Sequence, residues 1–253
     1  MAWLGRMGRS NIGTLAVGLS LSIGLFAARP ALADERKILV ASFENIQVIG
    51  DIKVQVQTGK APSAKAKGDK RVLDALKLER VGMTLRVRLQ GALNNAKGVP
   101  MTQPLEVMLS TQAVKDMTVS GNGSLQISEV KQQDAVRMLV AGNGSILVDR
   151  LLTDQFSAAI DGNGQIDIRD GKVRDGRVTL NGTGNFDAPN VPMRTLRLEH
   201  IGNGASSVNV GEEANIFNRG TGTITVGGSG SCFIKQAGSA AINCARVEKG
   251  SRK

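Results

Sequence analysis

Asp161-Gly162-Asn163-Gly164-Gln165-Ile166-Asp167-Ile168 decides the fold of this chain, because it is one copy of a recurring pattern. Gly-x-Gly stands at Gly121/Gly123, Gly142/Gly144, Gly162/Gly164, Gly182/Gly184, Gly202/Gly204 and Gly220/Gly222, in steps of 21, 20, 20, 20 and 18 residues. A fixed period in this range marks a repeat architecture. On both sides of each pair, apolar and polar residues alternate. Downstream stand Leu125 and Ile127, Ile146 and Val148, Ile166 and Ile168, Phe186 and Ala188, and Ile224 and Val226. The fifth repeat reads as slipped by two, to Val208 and Val210. Upstream stand Met117 and Val119, Met138 and Val140, Ala158 and Ile160, and Val178 and Leu180. Period two is the mark of a strand with one buried face.

Each repeat therefore reads as strand, glycine corner, strand and a polar connection. Glycine suits the corner because it adopts positive φ at little cost. The middle residue is Asn122, Asn143, Asn163, Thr183, Asn203 or Thr221, and stacked repeats would align these side chains as a ladder. A chain of antiparallel hairpins would also use about 20 residues per unit. The constant spacing and the single recurrent corner favour a parallel β-helix, each coil burying its inward side chains on its neighbours. The first third is less regular. Phe43, Ile46, Val48, Ile52, Val54 and Val56 repeat the inward column around the lone Gly50. Leu76-Lys77-Leu78 and Leu85 to Leu89 alternate about Gly82, which predicts a paired-strand insertion, and Leu105 to Leu109 leads into the regular coils. The expected organisation is a signal peptide over 1–33, an N-terminal β region over 34–110, regular coils over 111–246 and a basic tail over 247–253, with 34–246 a single domain.

The export reading rests on Arg6 and Arg9, the uncharged run Ile12 to Ala28, and Ala31-Leu32-Ala33 as a cleavage site. Cutting there leaves no second long apolar run, so no transmembrane segment is expected afterwards. The expected compartment is the periplasm, the outer surface or the medium. The chain after Ala33 carries a net charge of about +7 and five phenylalanines, with no tyrosine or tryptophan. Sugar and single-stranded nucleic-acid sites commonly stack their ligands on aromatic rings. An aromatic platform and specific nucleic-acid binding are therefore not expected.

The order of these motifs resembles the family called putative autotransporter adhesin, head GIN domain. The matching features are Phe43-x-x-Ile46-x-Val48-x-Gly50, Met83-Thr84-Leu85-x-Val87, and the serial corners ending in Gly220-Thr221-Gly222-Thr223-Ile224-Thr225-Val226. The resemblance covers Ile38 to Cys244. It implies a right-handed β-helix in the bacterial envelope and supplies no catalytic residues. Nothing after Cys244 is expected to form a translocator barrel.

Few residues remain for chemistry. Cys232 and Cys244 are the only cysteines, share the inward parity of Ile234 and Ile242, and are expected to form a disulfide in the last coil, since export permits one. His200 is the only histidine and has no compact ligand cluster around it, so no metal or other cofactor is expected. It opens a polar run in the inward column, His200, Asn218 and Gln236, which reads as an internal hydrogen-bonded ladder. Asp167 and Asp187 share one outward column on adjacent coils. Two carboxylates that close could form an acid/base pair, but with no aromatic or other catalytic group nearby the favoured reading is a solvated pair relieved by Arg169. The quoted stretch superficially resembles a calcium loop but lacks its downstream glycine and glutamate. Lys60 to Lys97 is strongly basic, and Lys65, Lys67, Lys70, Arg71, Arg86 and Arg88 are the candidates for an anion-binding lobe. The reading that follows is a non-enzymatic, adhesin-like envelope protein. Its alternatives are a polysaccharide-active β-helix using the Asp pair, and an anion-binding module for lipopolysaccharide or acidic glycan. Partners would be cell-envelope components or acidic polysaccharide.

Overall fold

Alternating inward residues build a stack of parallel coils in the computed structural model, which describes residues 34–90 and 104–248. The expected signal peptide and the end of the basic tail lie outside the described residues, as does Lys97. The strands are β1 (Asp34–Ile38), β2 (Asn45–Ile49), β3 (Lys53–Gln57), β4 (Ser63–Gly68), β5 (Leu76–Val81), β6 (Thr84–Leu89), β7 (Glu106–Ser110) and β8 (Asp116–Gly121). They continue as β9 (Ser124–Gly142), β10 (Ser145–Gly162), β11 (Gln165–Gly182), β12 (Asn185–Gly202), β13 (Ala205–Asn218), β14 (Thr223–Gln236) and β15 (Ala241–Glu248). One short helix, α1 (Lys70–Ala75), precedes β5. From β9 to β15 every neighbouring pair is parallel. The fold is thus a β-solenoid, with one coil per glycine repeat.

Each long strand bends around the coil, so its first half lies in one wall and its second half in another. The two glycines of each corner have different jobs. Gly121, Gly142, Gly162, Gly182 and Gly202 hold φ between +103° and +129°, a conformation that a Cβ disfavours. The second glycine is needed for space. A Cβ on Gly164 would stand 2.3 Å from Val140 Cγ1 and 2.7 Å from the Gly144 carbonyl oxygen, and one on Gly204 would stand 1.9 Å from the Gly184 carbonyl oxygen. The asparagine ladder is present on the corner. Asn143 donates to Asn122 at 3.0 Å, Asn163 to Asn143 at 3.0 Å, and Thr183 to Asn163; the pattern resumes where Thr221 donates to Asn203.

The core is a column of stacked aliphatic side chains. Phe156 of β10 stands opposite Gly176 of β11, where the missing side chain leaves room for a ring, and it meets Phe186 at 6.0 Å between centroids. The fifth coil does not slip. Ser206 pairs with Phe186 and Ile224, and Val208 with Ala188 and Val226. A serine therefore occupies an inward position, buried and without a hydrogen-bond partner. The register is set by the corner and the backbone ladder, which hold even where one side chain is polar.

Chain order and spatial order differ at the N-terminal end. β2 lies between β6 and β8, and β3 lies between β7 and β9, all parallel. The coil around Gly50 is thus flanked on both sides by strands that come later in the chain. β7 does not lead directly into the regular coils, as its sequence position suggested; β3 separates it from β9. Beyond this coil the pairing turns antiparallel, with β5 on β6, and β4 on β7 followed by β1. The hairpin about Gly82 is the expected paired-strand insertion.

Candidate functional site

The C-terminal coils are tied from inside. Cys232 is fully buried in the second half of β14, and Cys244 lies in the first half of β15 beside Val226. Their disulfide, with Cα atoms 6.5 Å apart, therefore joins adjacent coils and opposite walls. Gly238 stacks on Gly220 as the last corner, since its Cβ would lie 2.2 Å from the Gly220 carbonyl oxygen.

The polar inward run does not form a ladder. Asn218 turns to its own corner, donating to the Gly220 carbonyl and accepting from the Gly220 amide, and Gln236 donates to the Ala240 carbonyl. His200 is left fully buried, and neither ring nitrogen has a hydrogen-bond partner. Burial pushes its pKa down, and the nearby Gly204 backbone opposes this only in part.

Asp167 and Asp187 are direct neighbours across β11 and β12, as the register predicts. Asp167 is half-buried and its pKa is raised, chiefly by burial and further by the Asp187 charge, against a hydrogen bond from Gln165 at 3.0 Å. Arg169 does not clamp the pair. Its guanidinium bonds Asp149 on the preceding coil at 2.7 Å and acts on Asp167 only through its field. The further acid nearby, Asp149, is taken up by Arg169.

The six basic-lobe candidates are not brought together. Lys65 and Lys67 lie on β4, beyond β7 in one wall, and Arg86 and Arg88 lie on β6, beyond β2 in the other. Lys70 and Arg71 open α1 between them in the chain. Lys65 bridges Glu35 and Arg88 bridges Glu79, each at 2.8 Å. Sequence proximity suggested a patch that the two-walled coil separates.

Two concave surfaces escaped the sequence reading. A groove of about 840 Å³ crosses the coils β9 to β13, with Val173 and Met193 in its floor and Lys131, Lys172, Arg174 and Arg194 at its rim. Asp154 and Asp175 bridge Arg174, and Asp175 also bridges Arg194, at 2.8–3.0 Å. Lys131 and Lys172 make no ion pair among the described residues. A cleft of about 410 Å³ lies on the adjoining wall around Arg137, Ser157, Arg177 and Arg197. The available signal was the outward column, but its residue types change from coil to coil. Among the described residues no cluster of potential ligands could hold a metal ion, and no helix is long and apolar enough to cross a membrane.

A stapled β-solenoid with grooved outer walls is the class of protein defined by this arrangement. The chain belongs to the family described as "Putative auto-transporter adhesin, head GIN domain", whose model matches residues 42–230. Among solved structures it is similar to a putative adhesin from Bacteroides fragilis, at 15% identity over 86% of this chain and 96% of that one, with a TM-score of 0.69. It is also similar to a putative lipid binding protein from Parabacteroides distasonis, at 20% identity, 87% and 98% coverage, and a TM-score of 0.62. A putative adhesin from Parabacteroides merdae aligns at 19% identity, 87% and 97% coverage, and a TM-score of 0.58. At these identities the likeness is one of fold. No curated protein matches the chain in sequence. The family and these neighbours are described as adhesins or binding proteins, not enzymes, and the adhesin family together with the disulfide is consistent with an exported protein.

Proposed function

We propose that the chain is an exported, non-enzymatic module of the cell envelope that binds surface components through the side walls of its solenoid. The observation that carries this reading is the groove across β9 to β13. Its floor is apolar, its rim sets Lys131, Lys172, Arg174 and Arg194 against Asp154 and Glu212, and every lining residue sits on a hydrogen-bonded coil, so the surface is pre-formed and does not depend on a mobile loop. The family description and the binding-protein neighbour support the same reading. Residues 1–33 carry the export signal. The compartment is the periplasm, the outer surface or the medium.

A polysaccharide-active enzyme using Asp167 and Asp187 is the second reading, favoured by the register that pairs them and by the raised pKa of Asp167. It is weaker, because glycan cleavage by two carboxyl groups places one on each side of the scissile bond. Here both side chains project from one wall.

The test is cosedimentation of purified residues 34–253 with isolated bacterial envelopes. Lys131→Glu combined with Lys172→Glu is expected to weaken sedimentation. Absence of sedimentation, or retention of the chain in the cytoplasm on fractionation, overturns the proposal. Turnover of acidic glycan that disappears in Asp167→Asn combined with Asp187→Asn would establish the enzyme reading instead.

A further inference from the structure

One outward column crosses the second wall with no carboxylate between its basic residues. In register it reads Asp116, Arg137, Ser157, Arg177, Arg197 and Asn215. Neighbouring strands lie about 4.8 Å apart. The Cα atoms of Arg137 and Arg177 are therefore about 10 Å apart along the solenoid axis, with Ser157 between them, and Arg197 follows one coil later. All three arginines line the same cleft, which Gly176 helps to open.

These guanidinium groups are available. Among the described residues Arg177 makes no ion pair or hydrogen bond. Arg197 lies 4.3 Å from the centre of the Phe217 ring and engages no carboxylate. Arg137 reaches Asp116 at 3.3 Å while staying 68% exposed. The acid that lines the cleft, Asp175, is already held by Arg174, Arg194 and Thr195, and its pKa is lowered by them, the Arg174 hydrogen bond first. Glu199 lies one column away, beside Thr179. The cleft therefore keeps a net positive charge, and its other polar side chains are neutral, namely Gln155 and Ser157.

A guanidinium fork matches a carboxylate in shape and hydrogen bonding. One exposed pair of this kind contributes little in water, whereas several at a fixed spacing act together on a polymer. Neutral hydrogen-bonding side chains between the arginines suit hydroxyl groups. Nucleic-acid bases would need free ring faces, but Phe156 is buried and Arg197 covers Phe217. We propose that this cleft binds an acidic polysaccharide along the solenoid axis. Arg137, Arg177 and Arg197 take successive carboxylates, and Gln155 and Ser157 take hydroxyls. The proposal rests on the surface-binding reading and adds to the groove a second site with its own ligand class.

The experiment is titration calorimetry of residues 34–253 with a homogeneous oligogalacturonate. Its carboxyl-reduced neutral counterpart, polyphosphate and single-stranded DNA serve as comparisons. The oligouronate is expected to bind, more weakly as salt rises, and the neutral sugar is not. Arg177→Gln should weaken binding by about tenfold, the loss of one charge-assisted contact. Arg137→Gln with Arg177→Gln should abolish it, while Lys53→Gln on β3, an exposed cation outside both concave surfaces, leaves it unchanged. These side chains are exposed, and an unchanged far-ultraviolet circular dichroism spectrum confirms that the variants fold. Absence of oligouronate binding, binding indifferent to Arg177, or equal affinity for polyphosphate or DNA overturns the proposal. Envelope sedimentation that persists without oligouronate binding sinks the glycan assignment alone. Oligouronate binding at Arg177 without envelope sedimentation sinks the surface-binding reading and leaves the cleft intact.

Discussion

Replacing Gly204 by alanine adds one methyl group at a place where the backbone of the preceding coil occupies its position. The new Cβ would lie 1.9 Å from the Gly184 carbonyl oxygen. Real Cβ atoms essentially never approach closer than 3.0 Å, so the coils must separate there by about 1 Å. The ladder fixes their spacing, and Asn203 donates to the Gly182 carbonyl at 2.9 Å two residues away along the corner. Overpacking of this kind costs about 1–3 kcal/mol, and a strained or lost backbone hydrogen bond adds about 1 kcal/mol. A total of about 3 kcal/mol is a large share of a typical 5–15 kcal/mol stability. Gly82 is the control. It has φ +60° with nothing within 4 Å of its Cβ position, so alanine there meets only the left-handed penalty of about 1–2 kcal/mol. Urea unfolding followed by circular dichroism should place the Gly204→Ala midpoint well below that of Gly82→Ala. Amide exchange should show the loss concentrated in β12 and β13, because a solenoid's stability is summed coil by coil. Equal midpoints would refute the claim that the second glycine of each corner is kept for space.

Three further outcomes follow from the interior and the corner. His200 has a folded pKa below its ordinary value near 6.5, so the unfolded chain takes up its proton first. Its contribution is intact above that value and is lost as pH falls through it, so the urea midpoint should drop between pH 7 and 5, and His200→Leu should flatten this slope. Reducing Cys232–Cys244, or replacing both by serine, should lower stability by about 3 kcal/mol from its short closed loop, read as a fall in melting temperature with early exchange of β15. Asn163→Ala removes one bond to Asn143 and one from Thr183 at an exposed edge. A cost of about 1 kcal/mol in the same urea assay is expected.

The solenoid was legible because its signal is local and repeated. A positive-φ glycine, a second glycine two residues on and flanking alternation recur within every 20 residues. The disulfide was legible from parity and from the cysteine count. The order of the first coils was not, because β2 and β3 find later partners through pairings about 40–70 residues distant that no local pattern encodes. The fifth coil misled because Ser206 looks like an outward residue, and only the neighbouring register places it inside. The groove and the arginine cleft were hidden for a related reason. Arg137, Arg177 and Arg197 are 40 and 20 residues apart in sequence, and they become neighbours only once the coil length and phase are known. Lys65 and Arg86 show the converse, being near in sequence and parted by the two walls.

The threaded first coil also gives the molecule unequal ends under mechanical load. Among the described residues β15 is bonded on one side only, so tension at the C-terminus peels it away from its neighbour until the strain reaches Cys244 and its disulfide to Cys232. At the other end, once β1 has parted from β4, the pull meets β2 and β3, each hydrogen-bonded along both edges to strands from elsewhere in the chain. Those two strands cannot be unzipped bond by bond from a free edge and must shear out of the stack together. A rod built this way resists best when it is held by its N-terminal end.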